Sequence, residues 1–557
     1  MKKLLKVLIY TSIVLFALFW VGIFIVSQMG GKDAEWKGHF EAILASVLDR
    51  DVTFGSFEKG YYYPEFILKA GEVSIAASDT EPAITIETLN VGVSFWSIFW
   101  GEPAFTMLDV KNARPSNNQW AVKSLGLPEE ITEDPIVALA ASYEGADINL
   151  SIAMERAGQN GVAMRAPIPV SGTIAGVNLS TELTQTGGGV RLEQLSLSDD
   201  QHTVSGNLKF DNGDIVADID FGQSKARLDL KLDVSGSRPS VSGEVIFDVL
   251  NMADLDGDSF QPVRRIVDSI APQSEENQGI DLSFADLDLS VNVREFILND
   301  TDIGDLRTPV RLQNGALKIG DISGTFSGGD LSGMLALDAS SLPAQMTADL
   351  MLKEWVYGDL QRAAFGRADI EGEAQVKVNL ASSGETYGGL RANLSGAAGL
   401  IAGEGHFPAE MLNLWNSGLV NMLVPDLDAE AETQLNCAVI EFALENGVAD
   451  TATLFFDGKR MTLQGQGTID LVNERIDLIL KPESKGIELL KVSPAVKVTG
   501  ALTSPDIGPS NLSLLGNIGK IVIGTINPAT LVFTMTDFGL GKDHPCNAYI
   551  GGDEAAE

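Results

Sequence analysis

Strict two-residue alternation is the feature that most constrains this chain. Arg227-Leu228-Asp229-Leu230-Lys231-Leu232-Asp233-Val234 alternates charged and apolar residues without a break. On an extended strand that sends four apolar side chains one way and four charged ones the other. The same period runs through Ile84 and Ile86, through Leu89, Val91, Val93 and Phe95, and through Ile215–Phe221, Leu287–Val293, Val376–Leu380 and Ile476–Leu480. A sheet built from such strands has one wet face and one apolar face, and the apolar face must be covered by something.

A short pattern recurs on this background. Thr203–Asp211 reads TVSGNLKFD, and Ser240–Asp248, Asp330–Asp338 and Thr462–Asp470 resemble it. The spacing is unequal, so this is one strand type reused in an irregular sheet rather than a solenoid repeat. Its glycine is expected to mark a bulge or bend inside the strand. Helical periodicity is scarce. Trp36, Phe40, Ile43, Leu44, Val47 and Leu48 form one apolar helical face after Asp33, which can cap the helix. That face fits core packing better than a surface lying on a membrane. Phe407–Val424 also has a helical apolar face, whereas Leu514–Leu540 is apolar but broken by Gly516, Gly519, Lys520, Gly524 and Pro528. Gly126–Pro135 and Gln273–Gln278 read as loops.

Val7–Val26 carries no charge and follows Lys2, Lys3 and Lys6. Twenty residues at ~1.5 Å rise span ~30 Å, the thickness of a bilayer core. The run is longer than a signal-peptide core and Ser27-Gln28-Met29 is a poor cleavage site, so an uncleaved anchor is expected. The positive-inside rule then leaves the N-terminus cytoplasmic and exports everything after Lys32.

Acidic residues number 76 against 39 basic ones, a formal charge of −37, which argues against nucleic acid as a partner. No cofactor or metal is expected. Asp254–Asp258 fails as a calcium loop because Arg265 stands where a twelfth-position Glu belongs. His39, His202, His406 and His544 are scattered, and neither a zinc-protease nor a nucleophile-elbow motif occurs, so a non-enzymatic protein is expected. Cys437 and Cys546 are the only cysteines. An oxidising compartment would permit a disulfide between them; the alternative is two small buried side chains.

Leu435-Asn436-Cys437-Ala438-Val439, Phe442 and Glu445-Asn446-Gly447-Val448 begin an ordered series. Leu463, Gly465, Gly467, Ile469-Asp470-Leu471, Asp477-Leu478, Leu480 and Pro482 continue it, and Val496–Leu502 with Ser504-Pro505-Asp506 closes it. Upstream, Asn314-Gly315-Ala316-Leu317 leads to Gly328-Gly329-Asp330-Leu331-Ser332-Gly333. These residues resemble the AsmA family of envelope proteins. The resemblance implies a mainly β fold, a long, curved, mostly antiparallel sheet forming a groove, held to the inner membrane by one N-terminal helix and carrying a few short amphipathic helices. It implies a role in outer-membrane and envelope biogenesis, with larger relatives that look like bridge-type lipid carriers, and it offers no catalytic residues.

The expected organisation is a cytoplasmic tail (1–6), an anchor (7–28), an N-terminal helix with strands (33–125), a middle β region (126–400), a C-terminal region (401–545) and an acidic tail (546–557). The candidate groove lining is Leu228, Leu230, Leu232, Val234, Leu287, Leu289, Val291, Val293, Val376 and Val378. An apolar track of this kind shields acyl chains while a head group stays in water. Expected partners are phospholipid-like membrane lipids, the inner membrane itself and envelope proteins. The competing expectation is a periplasmic scaffold whose sheet is closed by its own side chains and whose wet face binds proteins that affect outer-membrane assembly.

Moving Lys2, Lys3 and Lys6 to the far side of Val7–Val26 should weaken or invert insertion. A periplasm-dependent reporter fused after Glu557 should be active on the natural chain; activity only of a cytoplasmic reporter would overturn the topology.

Overall fold

The computed structural model describes residues 33–62, 65–78, 82–94, 97, 104–127, 133–157, 161–236, 238–256, 259–270, 280–359, 362, 371–408, 432–459, 461–485, 495–509, 533, 538 and 545–548. It is mainly β, with few helices. Its described residues fall into two compact units. One runs to Gly222 and includes Asp254–Gln273; the other comprises Gln223–Ala253 and the chain from Ser274. Val7–Val26, Gln273–Gln278 and 514–532 lie outside the described residues. Among those described, no helix is long and apolar enough to cross a membrane.

The first unit opens with the helix Asp33–Leu48, followed by antiparallel strands beginning Val52–Tyr62, Glu65–Ile75, Ile84–Ser94 and Phe105–Pro115. The ladder continues through Trp120–Gly126, Ile136–Tyr143 and Ala146–Ala153. A short hairpin, Glu155–Ala157 with Gly161–Ala163, folds back so that Val162 pairs with Phe105. Ile168–Ile174 then rejoins Ala146–Ala153, and four further strands end at Asp214–Phe221.

Periodicity explains how this unit closes. Trp36, Phe40 and Leu44 recur every four residues, and all three are buried against Phe54, Leu68, Leu89 and Val91. The helix therefore covers the apolar side of the first strands, and its apolar face is core. Phe40 and Phe57 meet at 5.5 Å. Glu41 Oε1 accepts the N–H of Phe54 at 2.8 Å, which satisfies a donor on the otherwise free side of the first strand.

The second unit departs from an antiparallel sheet at Ser240–Asn251, which also runs parallel to Phe296–Leu298. Ser224–Asp233 pairs antiparallel with Ser240–Asn251, but Ser240–Asn251 runs parallel to Asp286–Val293, with Val241 opposite Leu287. Parallel neighbours need a long connection. The intervening chain supplies it, with the 3₁₀ turn Met252–Asp256 and the helix Gln261–Ile270. After this crossover the ladder is antiparallel through Gly304–Gln313, Ala316–Phe326, Gly329–Asp338, Ala344–Val356, Glu371–Gly384 and Ser395–Pro408. It then continues through Glu432–Glu445 to the last strand, Ser504–Pro509.

Two expectations shift. Phe407 belongs to the strand Ser395–Pro408, opposite Thr433, so the helix expected over Phe407–Val424 does not begin there; 409–424 is outside the described residues. The boundary placed at 400/401 cuts the same strand, while the one at 125/126 falls at the end of Trp120–Gly126. At Gly243 the register runs without a shift, so this recurring glycine marks a close approach of strands rather than a bulge. Gly243 stands opposite Leu230 at φ +140°, and a Cβ there would lie 2.1 Å from the carbonyl oxygen of Asp229. Only glycine allows the two strands to approach this closely.

Phe40→Ala should destabilise the first unit by about 3–5 kcal/mol, the usual cost of emptying a buried aromatic site. Chemical denaturation checks this, and a loss below ~1 kcal/mol would mean that the helix is not part of the core.

Candidate functional site

Residues paired across a ladder share a face, so register alone traces the apolar side of the second unit. Leu228, Leu230 and Leu232 stand opposite Val245, Gly243 and Val241. Those three stand opposite Val291, Leu289 and Leu287. Leu287 and Leu289 meet Leu312 and Val310, which meet Leu317 and Ile319. The line passes through Leu337 and Leu335 to Met346 and Ala348, with Leu350 and Leu352 opposite Val378 and Val376. Nine of the ten residues expected to line a groove thus share one face. Val234 lies one position past the end of Ser224–Asp233.

Two bulges keep this face apolar. Simple alternation from Ile319 would aim Ile322 outward, but the register shifts between Ile319 and Ile322, and Asp321 adopts φ 50°. Both isoleucines therefore face the apolar side, opposite Leu335 and Gly333. A second shift between Leu352 and Trp355, with Glu354 at φ 53°, brings Trp355 onto the same face opposite Ala374. The N–H freed at Glu354 is donated to Gln375 Oε1 at 3.0 Å. Alternation alone missed Ile322 and Trp355. The non-alternating pair Gly320-Asp321 was the only sequence signal for the first bulge.

No ionisable side chain occupies a paired position on this face between Leu228 and Leu380. Its one buried hydroxyl in the middle strands, Thr308, donates to the carbonyl of Gly320 at 3.1 Å. The face is also incompletely covered. Leu228, Leu230, Leu232, Leu287, Leu289, Val291, Val376 and Val378 are all partly exposed, whereas Val293, Leu312, Ile322 and Ala374 on the same face are buried. By contrast, Leu68, Leu89 and Val91 under the helix of the first unit are 2–4 % exposed.

The other face is wet and charged. Asp229, Lys231, Asp233 and Asp288 are exposed, and Arg311 Nε lies 3.2 Å from Asp288 Oδ1. Arg227 and Arg294 each approach Asp248 Oδ1 at 2.6 Å. The hydrogen bond from Arg227, followed by the charges of both guanidiniums, holds the Asp248 carboxyl below its usual range. At the far end of the apolar face Trp355 packs edge-on against Tyr357 at 6.5 Å, and burial pushes the Tyr357 hydroxyl up to about 12.

The described residues near the C-terminus, Phe533, Phe538 and Cys546, pack on the side away from the floor. Lys377, Gly399, Glu441 and Thr453 follow one another outward-facing across four strands. The missing side chain of Gly399 leaves a notch, where a Cβ would lie 2.9 Å from ring atoms of both Phe533 and Phe538. Glu441, fully buried, accepts the N–H of Phe533 at 3.0 Å, and Lys377 Nζ lies 5.2 Å from the centre of the Phe533 ring. Cys437 and Cys546 are joined by a disulfide, with Cα atoms 5.2 Å apart. Phe533, Phe538 and Cys546 thus pack with Ala397, Ile401 and Val439, which face away from the floor. Among the described residues no three His, Cys, Asp or Glu are placed to hold a metal.

A β ladder with one charge-free, half-covered face and one charged face is the class of protein these strands define. Residues 268–454 match the model of the AsmA family. That stretch includes Asn314–Gly333 and Leu435–Val448, and ends before the Leu463–Asp506 series. The chain is also similar to AsmA family protein YhjG of Escherichia coli (strain K12), with 23 % identity over 250 residues. This alignment covers 44 % of the chain and 36 % of that relative's length, so the chain matches little more than a third of it. The two matches support assignment to the AsmA family.

Cross-linking residues 109 apart restricts the unfolded chain by up to about 4.7 kcal/mol in the loop-entropy model. Replacing Cys437 and Cys546 together with Ser should therefore lower the urea midpoint of the second unit. An unchanged midpoint would mean that Phe533 and Phe538 hold this packing alone.

Proposed function

We propose that this chain is a non-enzymatic protein of the cell envelope that binds or conducts lipid along the apolar face of its β ladder. It would be anchored in the inner membrane by Val7–Val26, with the bulk of the chain in the periplasm. The observation that carries this reading is the continuous, charge-free and partly exposed floor from Ser224–Asp233 to Glu371–Gly384. Eight strands at ~4.8 Å spacing make it about 34 Å wide across the ladder. Each acyl CH₂ removed from water contributes ~0.8 kcal/mol, so a floor that covers a chain on one side alone still holds it well. The contact is generic, so chain-bearing phospholipids of different head groups should all bind. AsmA family membership supports a role in envelope biogenesis or lipid transport.

The test compares two neighbours on one strand. Leu230→Asp sets an unpaired carboxylate on the floor, which acyl chains must avoid or desolvate. Asp229→Leu changes only the charged face. Bound phospholipid per folded protein should fall sharply for Leu230→Asp and stay level for Asp229→Leu, with similar melting temperatures. Normal lipid content with a collapsed melting temperature for Leu230→Asp would show a closed core, and would favour a scaffold that binds protein partners instead.

A further inference from the structure

Three segments of the second unit converge at one edge of its ladder. Ile280, Ala344 and Leu390 are buried together, and Leu282, Leu337, Ala339 and Met346 pack against them. Ile280 donates its N–H to the carbonyl of Glu385 at 3.2 Å, which ties residues 280–285 to the start of the helix Tyr387–Ala392. Each segment then presents one large apolar side chain outward, two to four residues from its buried anchor. These are Phe284, 65 % exposed, Tyr387, 58 % exposed, and Leu342, 55 % exposed. They are the three most exposed large apolar side chains among the described residues, and all three spring from one cluster. Single exposed apolar residues are ordinary, whereas a convergent group held on a rigid base marks an interaction surface.

The exposed charge beside the three anchors is mainly acidic. Exposed Asp281, Asp338 and Glu385 sit beside the three anchors. Asp281 accepts the hydroxyl and the N–H of Ser283 at 2.6 and 2.8 Å, and Asp338 accepts those of Ser340 at 2.6 and 3.0 Å. These bonds fix both carboxylates in place and hold them below their usual range, so they stay charged in mild acid. The nearby cations are already engaged. Arg391 pairs with Glu474 at 3.3 Å, and Arg238 lies 3.9 Å from Asp286.

We propose that this edge is a docking surface for a protein partner whose matching patch is apolar and flanked by Lys or Arg. An apolar centre with a charged rim is the anatomy of a protein interface, and the sign of the rim selects the partner. A bilayer fits less well, because surfaces that lie on membranes flank their apolar residues with cations. A second copy of the chain fits less well too, because each copy carries a formal charge of −37. The surface adjoins one end of the apolar floor, since Leu337 and Met346 belong to both, but Phe284, Leu342 and Tyr387 are not floor residues, so substitutions there test it apart from lipid binding.

The probe is a synthetic amphipathic helical peptide with a Leu/Phe face flanked by Lys, compared with the same peptide carrying Glu in place of Lys, on the full-length purified protein. The Lys peptide should bind at least about tenfold more tightly than the Glu peptide. Phe284→Ser combined with Tyr387→Ser should weaken it by about tenfold or more, the loss expected for central interface anchors. Asp281→Asn combined with Asp338→Asn should remove much of the salt dependence. All four positions are exposed, so melting temperatures should hold. Equal affinity for the two peptides, no binding of either, or indifference to the variants would overturn the proposal. Sedimentation of the protein with phosphatidylcholine vesicles that depends on Phe284 and Tyr387 would also overturn it, and would assign the edge to a bilayer.

Discussion

Everything in this protein depends on the pleat of its strands being kept in phase. Successive side chains point to opposite faces, so a slip of one residue would turn an entire strand inside out. Hydrogen-bonded register transmits that phase from strand to strand. In the second unit it runs unbroken from Leu230 to Gly243 to Leu289 to Val310. Where the chain inserts an extra residue, at Asp321 and Glu354, a positive φ absorbs it and the next side chain still faces the apolar side. The parallel step between Ser240–Asn251 and Asp286–Val293 keeps phase as well, because Val241, Gly243 and Val245 meet Leu287, Leu289 and Val291 in order.

A sheet face in phase still needs a cover, and the protein supplies covers selectively. In the first unit the helix Asp33–Leu48 closes the apolar side with Trp36, Phe40 and Leu44. In the second, one edge of the apolar side is stopped by Ile280 and Leu390, and Phe533, Phe538 and the disulfide-linked Cys546 pack on the side away from the floor. Leu228, Leu230, Leu289 and Val378 are left partly in water. Exposed apolar area of this extent costs stability, and it is tolerable where a ligand supplies the missing cover.

Much of this was legible in the sequence because period two is a direct image of the pleat. Arg227–Val234 specified both faces of its strand, and the helical spacing of Trp36, Phe40 and Leu44 specified the covering helix. What escaped has physical causes. Ile322 and Trp355 reach the floor through bulges, which break alternation at the point where they matter. The parallel crossover depends on where the chain re-enters the ladder, which no local pattern encodes. The packing near the C-terminus depends on the empty space at Gly399, visible only once Phe533 and Phe538 are seen above it. The division of the chain at Gly222 also had no composition signal, since Asp214–Phe221 and Ser224–Asp233 share the same alternation.

The central claim is that acyl chains lie on one face of this ladder and avoid the other. The most direct measurement is photo-crosslinking of the full-length protein with a phosphatidylethanolamine bearing a diazirine midway along one acyl chain, the adducts being mapped by peptide mass spectrometry. Lipid on the floor predicts adducts concentrated at Leu289, Leu335 and Leu350 and nearly absent from their outward neighbours Asp288, Lys318 and Asp349. Adducts spread evenly over both faces, or none above background in protein that remains folded, would contradict it.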